Sequence, residues 1–103
     1  MTIEQIRVLC ANETIEVTMH MLQRLSQRKI SFNEVKEVIM NGEIIEDYPT
    51  DYPYPSCLVF GYTINKRVLH AVVGIGDSKL WLTAYEPDSN QWESDFKTRK
   101  ERH

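Results

Sequence analysis

The segment HMLQRLSQRKIS, residues 20–31, sets His20, Arg24 and Arg28 at intervals of four. On a helix turning about 100° per residue the three side chains stand in one row. Arg24 and Arg28 have no acid between them, so the pair is mildly repulsive where an i,i+4 acid would have stabilised the helix. An anion would offset that repulsion. Imidazole gives and takes a proton near neutral pH, and guanidinium holds phosphate, so the row could act on the 2′-hydroxyl or the leaving oxygen of RNA. The plain alternative is a solvated face, or arginines paired with acids elsewhere in the fold. Farther along, His70 lies mid-strand in RVLHAVV, and LTAYEPD places Thr83 and Tyr85 on one side of a strand. Taken alone, His70 reads as a core-edge histidine bonded to a carbonyl. Thr83 and Tyr85 could orient a phosphate or simply fill a sheet face.

Other chemistries lack their residues. There is no G-x-S-x-G elbow and no H-E-x-x-H. The GIG of residues 74–76 precedes a strand where a phosphate loop needs a helix. Cys10 and Cys57 stand far apart and read as two reduced, half-buried thiols, not as zinc ligands. No cofactor and no metal is expected. The tyrosine- and proline-rich run Tyr48 to Pro55 could stack nucleobases, or pack over a sheet edge.

The elements that must position these groups emerge from periodicity. IEQIRVLC is a short first helix or an arm, with Asn12 as the cap of the next helix. From about Thr14 to Lys29, Met19, Met21, Leu22 and Leu25 form an apolar helix face opposite the cationic row. Ser31 and Glu34 make a capping box for the helix after that, which Asn41-Gly42 should end in a left-handed turn. EIIEDY, CLVFGYTI, RVLHAVVG and KLWLTAYE alternate as strands, with a tight hairpin at Asn65-Lys66 and another turn at GIGDS. QWESDFKTRKER, with Trp92 and Phe96 four apart, reads as a closing helix. The expected fold is α+β: two N-terminal helices packed on a three- to four-stranded antiparallel sheet, with a short C-terminal helix.

At 103 residues and 42% hydrophobic, the chain suits one domain spanning 1–103. No run reaches the roughly 18 apolar residues of a membrane span, and MTIEQIRVLC lacks the features of a secretory signal, so a cytoplasmic protein without a membrane partner is expected. A net charge of −3 argues mildly against nucleic acid. The charges are bipolar, however: bases gather at residues 20–29 and in the tail FKTRKERH, acids at Glu43, Glu46, Asp47, Asp51, Glu86, Asp88, Glu93 and Asp95.

The pattern H-x-x-x-R-x-x-x-R-x-I-S before a capped helix, then NGEIIEDYP, PYPSCLVFG, LHAVV and LTAYEPDSNQWESDFKTRK in that order, resembles a family of small bacterial and archaeal proteins known as a domain of unknown function. The resemblance runs from about Ile15 to Lys100. Genes of that family often lie beside zinc-finger/helix-turn-helix antitoxin genes of the MqsA type. This links it to RelE/MqsR-like ribonuclease toxins of the barnase–EndoU–colicin–RelE superfamily. The resemblance implies an α+β fold and metal-independent RNA cleavage by 2′-hydroxyl attack, in the toxin of a type II toxin–antitoxin pair. Its partners would be RNA, free or ribosome-bound, and an antitoxin. Its characteristic positions fall on His20, Arg24, Arg28, His70, Thr83 and Tyr85, with Trp92 and Arg99 in a closing motif. His20, His70 and Tyr85 would be catalytic and would converge on one groove, while Arg24, Arg28, Thr83 and Arg99 would hold phosphate. The rival reading is a non-catalytic module whose cationic row docks an acidic protein. A metal-bound histidine pair is short of ligands.

Overall fold

The structure is a computed structural model and describes residues 1–101. Thr2 caps the first helix, α1 (Ile3–Ala11), through a reciprocal capping box with Gln5. Asn12 is its C-cap rather than the start of a further helix. Glu13 then takes a positive φ of 55°, while Glu13 and Thr14 donate back to Cys10 O and Leu9 O. That is a Schellman stop. It overturns the expectation of a helix from Thr14: the β-branched run Thr14, Ile15, Val17, Thr18 instead supplies a short strand, β1 (Ile15–Glu16). The second helix, α2 (Met19–Gln27), starts only after Thr18, whose hydroxyl accepts from Met21 N. It ends in a second Schellman stop, with Lys29 at φ 55° and Ile30 N bonded to Leu25 O.

The capping box at Ser31 and Glu34 opens α3 (Phe32–Asn41) as expected. Gly42 follows it, but in extended conformation, φ −94°. Glycine is needed there for closeness, because a Cβ would overlap Phe60 O and lie 2.5 Å from Val38 O. Four strands come next: β2 (Glu43–Tyr48), β3 (Ser56–Tyr62), β4 (Val68–Gly76) and β5 (Lys79–Tyr85). The β3–β4 turn carries its positive φ on Lys66, not Asn65. With β1 the sheet has five strands in the order β1-β5-β4-β3-β2, antiparallel except for the β1–β5 pair. The fold is α+β with three helices, all of them before β2, where the sequence reading expected two there and one at the C-terminus, and with one or two strands more than expected.

Strand alternation gives the sheet two faces. Cys57, Val59, Leu69, Ala71, Val73, Leu80, Leu82 and Ala84 face the helices and make one core with Ile6, Cys10, Leu25, Ile30, Val35, Val38 and Ile39. Of the apolar residues assigned to α2, only Leu25 is buried; Met19 and Leu22 are exposed, at 70% and 42%. The helix packs against β5 and not against the central strands, so a narrower stripe suffices.

The far face carries Leu58, Phe60, His70, Val72, Trp81, Thr83 and Tyr85, which are register partners or alternate positions on β3, β4 and β5. Residues 87–100 cover part of it without forming the expected closing helix. Asp88 and Asp95 side chains accept backbone N–H groups two and three residues on, and Phe96 has φ 57°. These local bonds compete with a helix. Glu93 N and Lys100 N bond instead to Thr98 O and Gln91 O, so that Trp92 pairs with Arg99 across a small loop. Arg102, counted in the basic tail, lies outside the described residues.

Candidate functional site

The row on α2 is real in its exposed part and divided in its partners. His20 and Arg24 are exposed, and Arg24 Nε donates to His20 Nε2 at 2.8 Å. In that bond the Nε2 lone pair of His20 is the acceptor. Arg28 turns inward, and its Nη1 donates to Ala84 O at 2.8 Å, on the outer edge of β5. The two guanidiniums thus avoid each other by taking uncharged acceptors. Neither makes an ion pair with a carboxylate among the described residues.

His70 is enclosed, with no exposed surface. Its Nε2 lies 2.6 Å from Phe96 O, which makes that nitrogen the donor, and Nδ1 has no partner among the described residues. Burial is the main cause that holds its pKa below the usual histidine value. Tyr85 packs edge-on at 5.5 Å and Trp92 at 4.5 Å between ring centroids. Burial also pushes the Tyr85 phenol up. Arg99 is engaged in closing this half of the face. Its Nε and Nη2 grip Glu46 at 2.7 and 3.0 Å, and its guanidinium lies 4.5 Å from the centre of the Trp92 ring. Glu46 reaches that position because β2 shifts register between Ile44 and Glu46. The Arg99 bonds hold the Glu46 carboxyl below the ordinary carboxylate value. Desolvation and the bond to Glu46 push the Tyr48 phenol up to about 12. The structure therefore joins His70 to Tyr85 and Arg99, and separately joins His20 to Arg24. No hydrogen bond links His20 with His70 among the described residues.

The other half of the far face is open. A cavity of about 310 Å³ lies between the N-cap Thr18 and Met21 of α2, Trp81 and Thr83 of β5, and the loop residues Asp51, Tyr52 and Tyr54. Its aromatic wall is held in place. Trp81 Nε1 donates to Gly76 O at 3.0 Å, and the Tyr54 hydroxyl donates to Asp77 at 2.7 Å. The two rings lie 5.7 Å apart at 35°. Gly76 leaves room for Tyr54, whose ring a Cβ would strike. The polar groups are few. Asp51 accepts from Ser56 Oγ at 2.6 Å, and the Thr83 hydroxyl is buried with no partner among the described residues. Of the predicted site residues, Thr83 is the one in the lining. Tyr52, 91% exposed, stands on the rim.

Trp81 was not among the predicted site residues, and Asp51 and Tyr54 entered only as part of the run Tyr48 to Pro55, read as a base-stacking loop or a cover over a sheet edge. The signal for Trp81 was present, since it alternates with Thr83 and Tyr85 on one strand. Asp51 carried no such signal, because only the fold of the loop brings it over β3. Cys10 and Cys57 are free and buried, and desolvation pushes both thiols up, Cys57 to about 11. Among the described residues no three His, Cys, Asp or Glu side chains are grouped to hold a metal ion. Among them, too, no helix is long and apolar enough to cross a membrane.

Residues 17–86 match the family described as Domain of unknown function (DUF4258), and the chain belongs to that family. No curated protein and no solved structure matches it.

Proposed function

We propose that this member of the family binds single-stranded RNA and cleaves it without metal, as a RelE/MqsR-like toxin acting in the cytoplasm beside a zinc-finger/helix-turn-helix antitoxin. The observation that supports the reading is adjacency. An aromatic-walled cavity with an unpartnered hydroxyl is bordered by the first turn of the helix that carries His20 and Arg24. Aromatic walls stack bases, and an exposed guanidinium takes the phosphate beside them.

In this reading Arg24 changes partner. A phosphate oxygen competes for its N–H groups as a charged acceptor, and charge-assisted bonds are roughly twice as strong as neutral ones. Release from Arg24 frees the Nε2 lone pair of His20. That nitrogen takes the proton of the 2′-hydroxyl as the oxygen attacks phosphorus. The imidazolium then returns the proton to the departing 5′-oxygen, leaving a 2′,3′-cyclic phosphate and a 5′-hydroxyl. Arg24 stabilises the charge that grows on the phosphate. Arg28 holds α2 to β5. His70 and Tyr85 stay behind the site as its packed support, with Trp92 packed on His70.

The test is cleavage of RNA by purified protein in EDTA, with growth followed on induced expression. His20→Ala should lower the rate roughly 10²–10⁴-fold, with Arg24→Ala comparable and both variants folded, since the two side chains are exposed. Equal rates in all three proteins, or activity only with added metal, would refute the mechanism. An inert wild type that still binds RNA through Arg24 would reduce the proposal to a binding module. Binding of an acidic protein and not RNA through that row would replace it with the docking reading.

A further inference from the structure

We infer that the cavity beside α2 takes the guanidinium of an arginine side chain from a basic segment of a partner protein. Such an arginine is a ligand beyond the RNA reading and independent of it. It would cover the wall offered to a base, so the two would compete. At about 310 Å³ the cavity lies at the small end of ligand sites and suits one side chain. Its wall offers aromatic carbon. The donors of that wall are spent elsewhere, because Trp81 Nε1–H and the Tyr54 hydroxyl donate to Gly76 O and Asp77. Neither of those acceptors lines the cavity.

The charge in the lining has one sign. Asp51 belongs to it, and no Lys, Arg or His does. Asp47 borders the adjoining depression together with Asp51, and Asp77 holds the Tyr54 hydroxyl. None of these three carboxylates makes an ion pair among the described residues. Ser56 fixes Asp51 by donating from Oγ to Oδ2 at 2.6 Å, and Oδ1 has no partner among the described residues. Within the cavity a cation is therefore attracted and an anion repelled. His20 and Arg24 lie on the same helix, but they bond to each other and do not line the cavity.

The closed half of the same face shows such a site filled from within the chain. There the Arg99 guanidinium lies 4.5 Å from the centre of the Trp92 ring, and its Nε and Nη2 donate to the Glu46 carboxylate. The open half repeats two of those three parts: an aromatic wall in Trp81 and Tyr54, and a carboxylate in Asp51. The third is missing, since no cation stands over either ring among the described residues. Guanidinium suits the vacancy better than ammonium. It is planar and weakly hydrated, it stacks on aromatic rings, and its fork grips a carboxylate. Ammonium is compact and strongly hydrated, so an apolar wall costs it more.

The experiment is titration of the intact protein with three short capped peptides that differ in one central residue: arginine, lysine, or citrulline, the neutral isostere of arginine. Binding is followed by NMR at the indole N–H signals of Trp81 and Trp92. The Trp81 signal should shift to saturation with the arginine peptide, while that of the buried Trp92 stays in place. The arginine peptide should bind at least about fivefold tighter than the citrulline peptide, and tighter than the lysine peptide. Asp51→Asn should remove about that factor from the arginine peptide and leave the citrulline peptide unchanged, because its amide oxygen still accepts from Ser56 while the charge is gone. Equal affinity for arginine and either of the other peptides, an unmoved Trp81 signal, or unchanged arginine binding in Asp51→Asn would overturn the inference. None of these measurements involves RNA. Their failure leaves the cleavage reading to its own test on His20 and Arg24, and a protein inert toward RNA leaves arginine binding standing.

Discussion

Trp92→Ala tests whether residues 87–100 are part of the domain or a dispensable tail. The side chain is 2% exposed, stands at 90° to the His70 ring with centroids 4.5 Å apart, and carries the Arg99 guanidinium over its ring. Replacing a buried aromatic by alanine costs about 3–5 kcal/mol. Within that total the aromatic pair accounts for about 0.5–1.5 kcal/mol and the part-exposed guanidinium contact for about 0.5–1 kcal/mol. A domain of this size is stable by roughly 5–15 kcal/mol, and each kcal/mol moves the midpoint by about 4–8 °C. The expected fall is therefore roughly 12–40 °C in a thermal melt followed by far-UV circular dichroism. A second readout is more specific. Burial is the main cause of the lowered His70 pKa, so uncovering the ring should raise its NMR titration midpoint toward the ordinary value. A fall of less than about 5 °C with an unmoved His70 midpoint would mean that the segment does not seal this face.

Two further outcomes rest on the same geometry. His70 has a folded pKa below the ordinary histidine value of 6.5, so its contribution is fully present above about pH 6.5 and is lost as pH falls through that value toward the folded one. Urea melts at pH 7.5 and 5.5 should show the loss, and His70→Phe should flatten it. The lowered carboxyls of Glu34, Glu46 and Asp95 act in a more acidic window, below about pH 4.5. Gly42→Ala should cost about 1–3 kcal/mol through overlap with the Phe60 and Val38 carbonyls. Gly42→Asn should cost at least as much, whereas a left-handed cap would accept asparagine; a stable Asn variant in a thermal melt would refute the close-packing account.

The features legible in the chain were those that depend on near neighbours. The Ser31–Glu34 capping box and the alternating strands around Asn65-Lys66 specify themselves within a few residues, and both formed. Errors arose where two local signals competed. Trp92 and Phe96 have helical spacing, but Asp88 and Asp95 bind the backbone first. The β-branched run at Thr14–Thr18 lies in an apolar pattern of helical period, but it joins β5 instead. Sites were harder still. Glu46 meets Arg99 only because of a register shift in β2, and Arg28 finds Ala84 O across 56 residues of chain. No spacing rule contains either contact.

The far face of the sheet shows why position in the fold matters more than residue type here. His20 and His70 are the same chemical group, but one is exposed on a helix and the other sealed beneath Trp92. The family match ends at residue 86, yet the residues that seal His70 come after it. Those later residues close one half of the face with Trp92, Arg99 and the Phe96 carbonyl, and the Tyr52–Tyr54 loop leaves the other half open around Thr83. His70 has no exposed surface, whereas the cavity at Thr83 is open. The functional reading proposed above therefore places its chemistry on His20 and Arg24 beside that cavity, with His70 packed behind it.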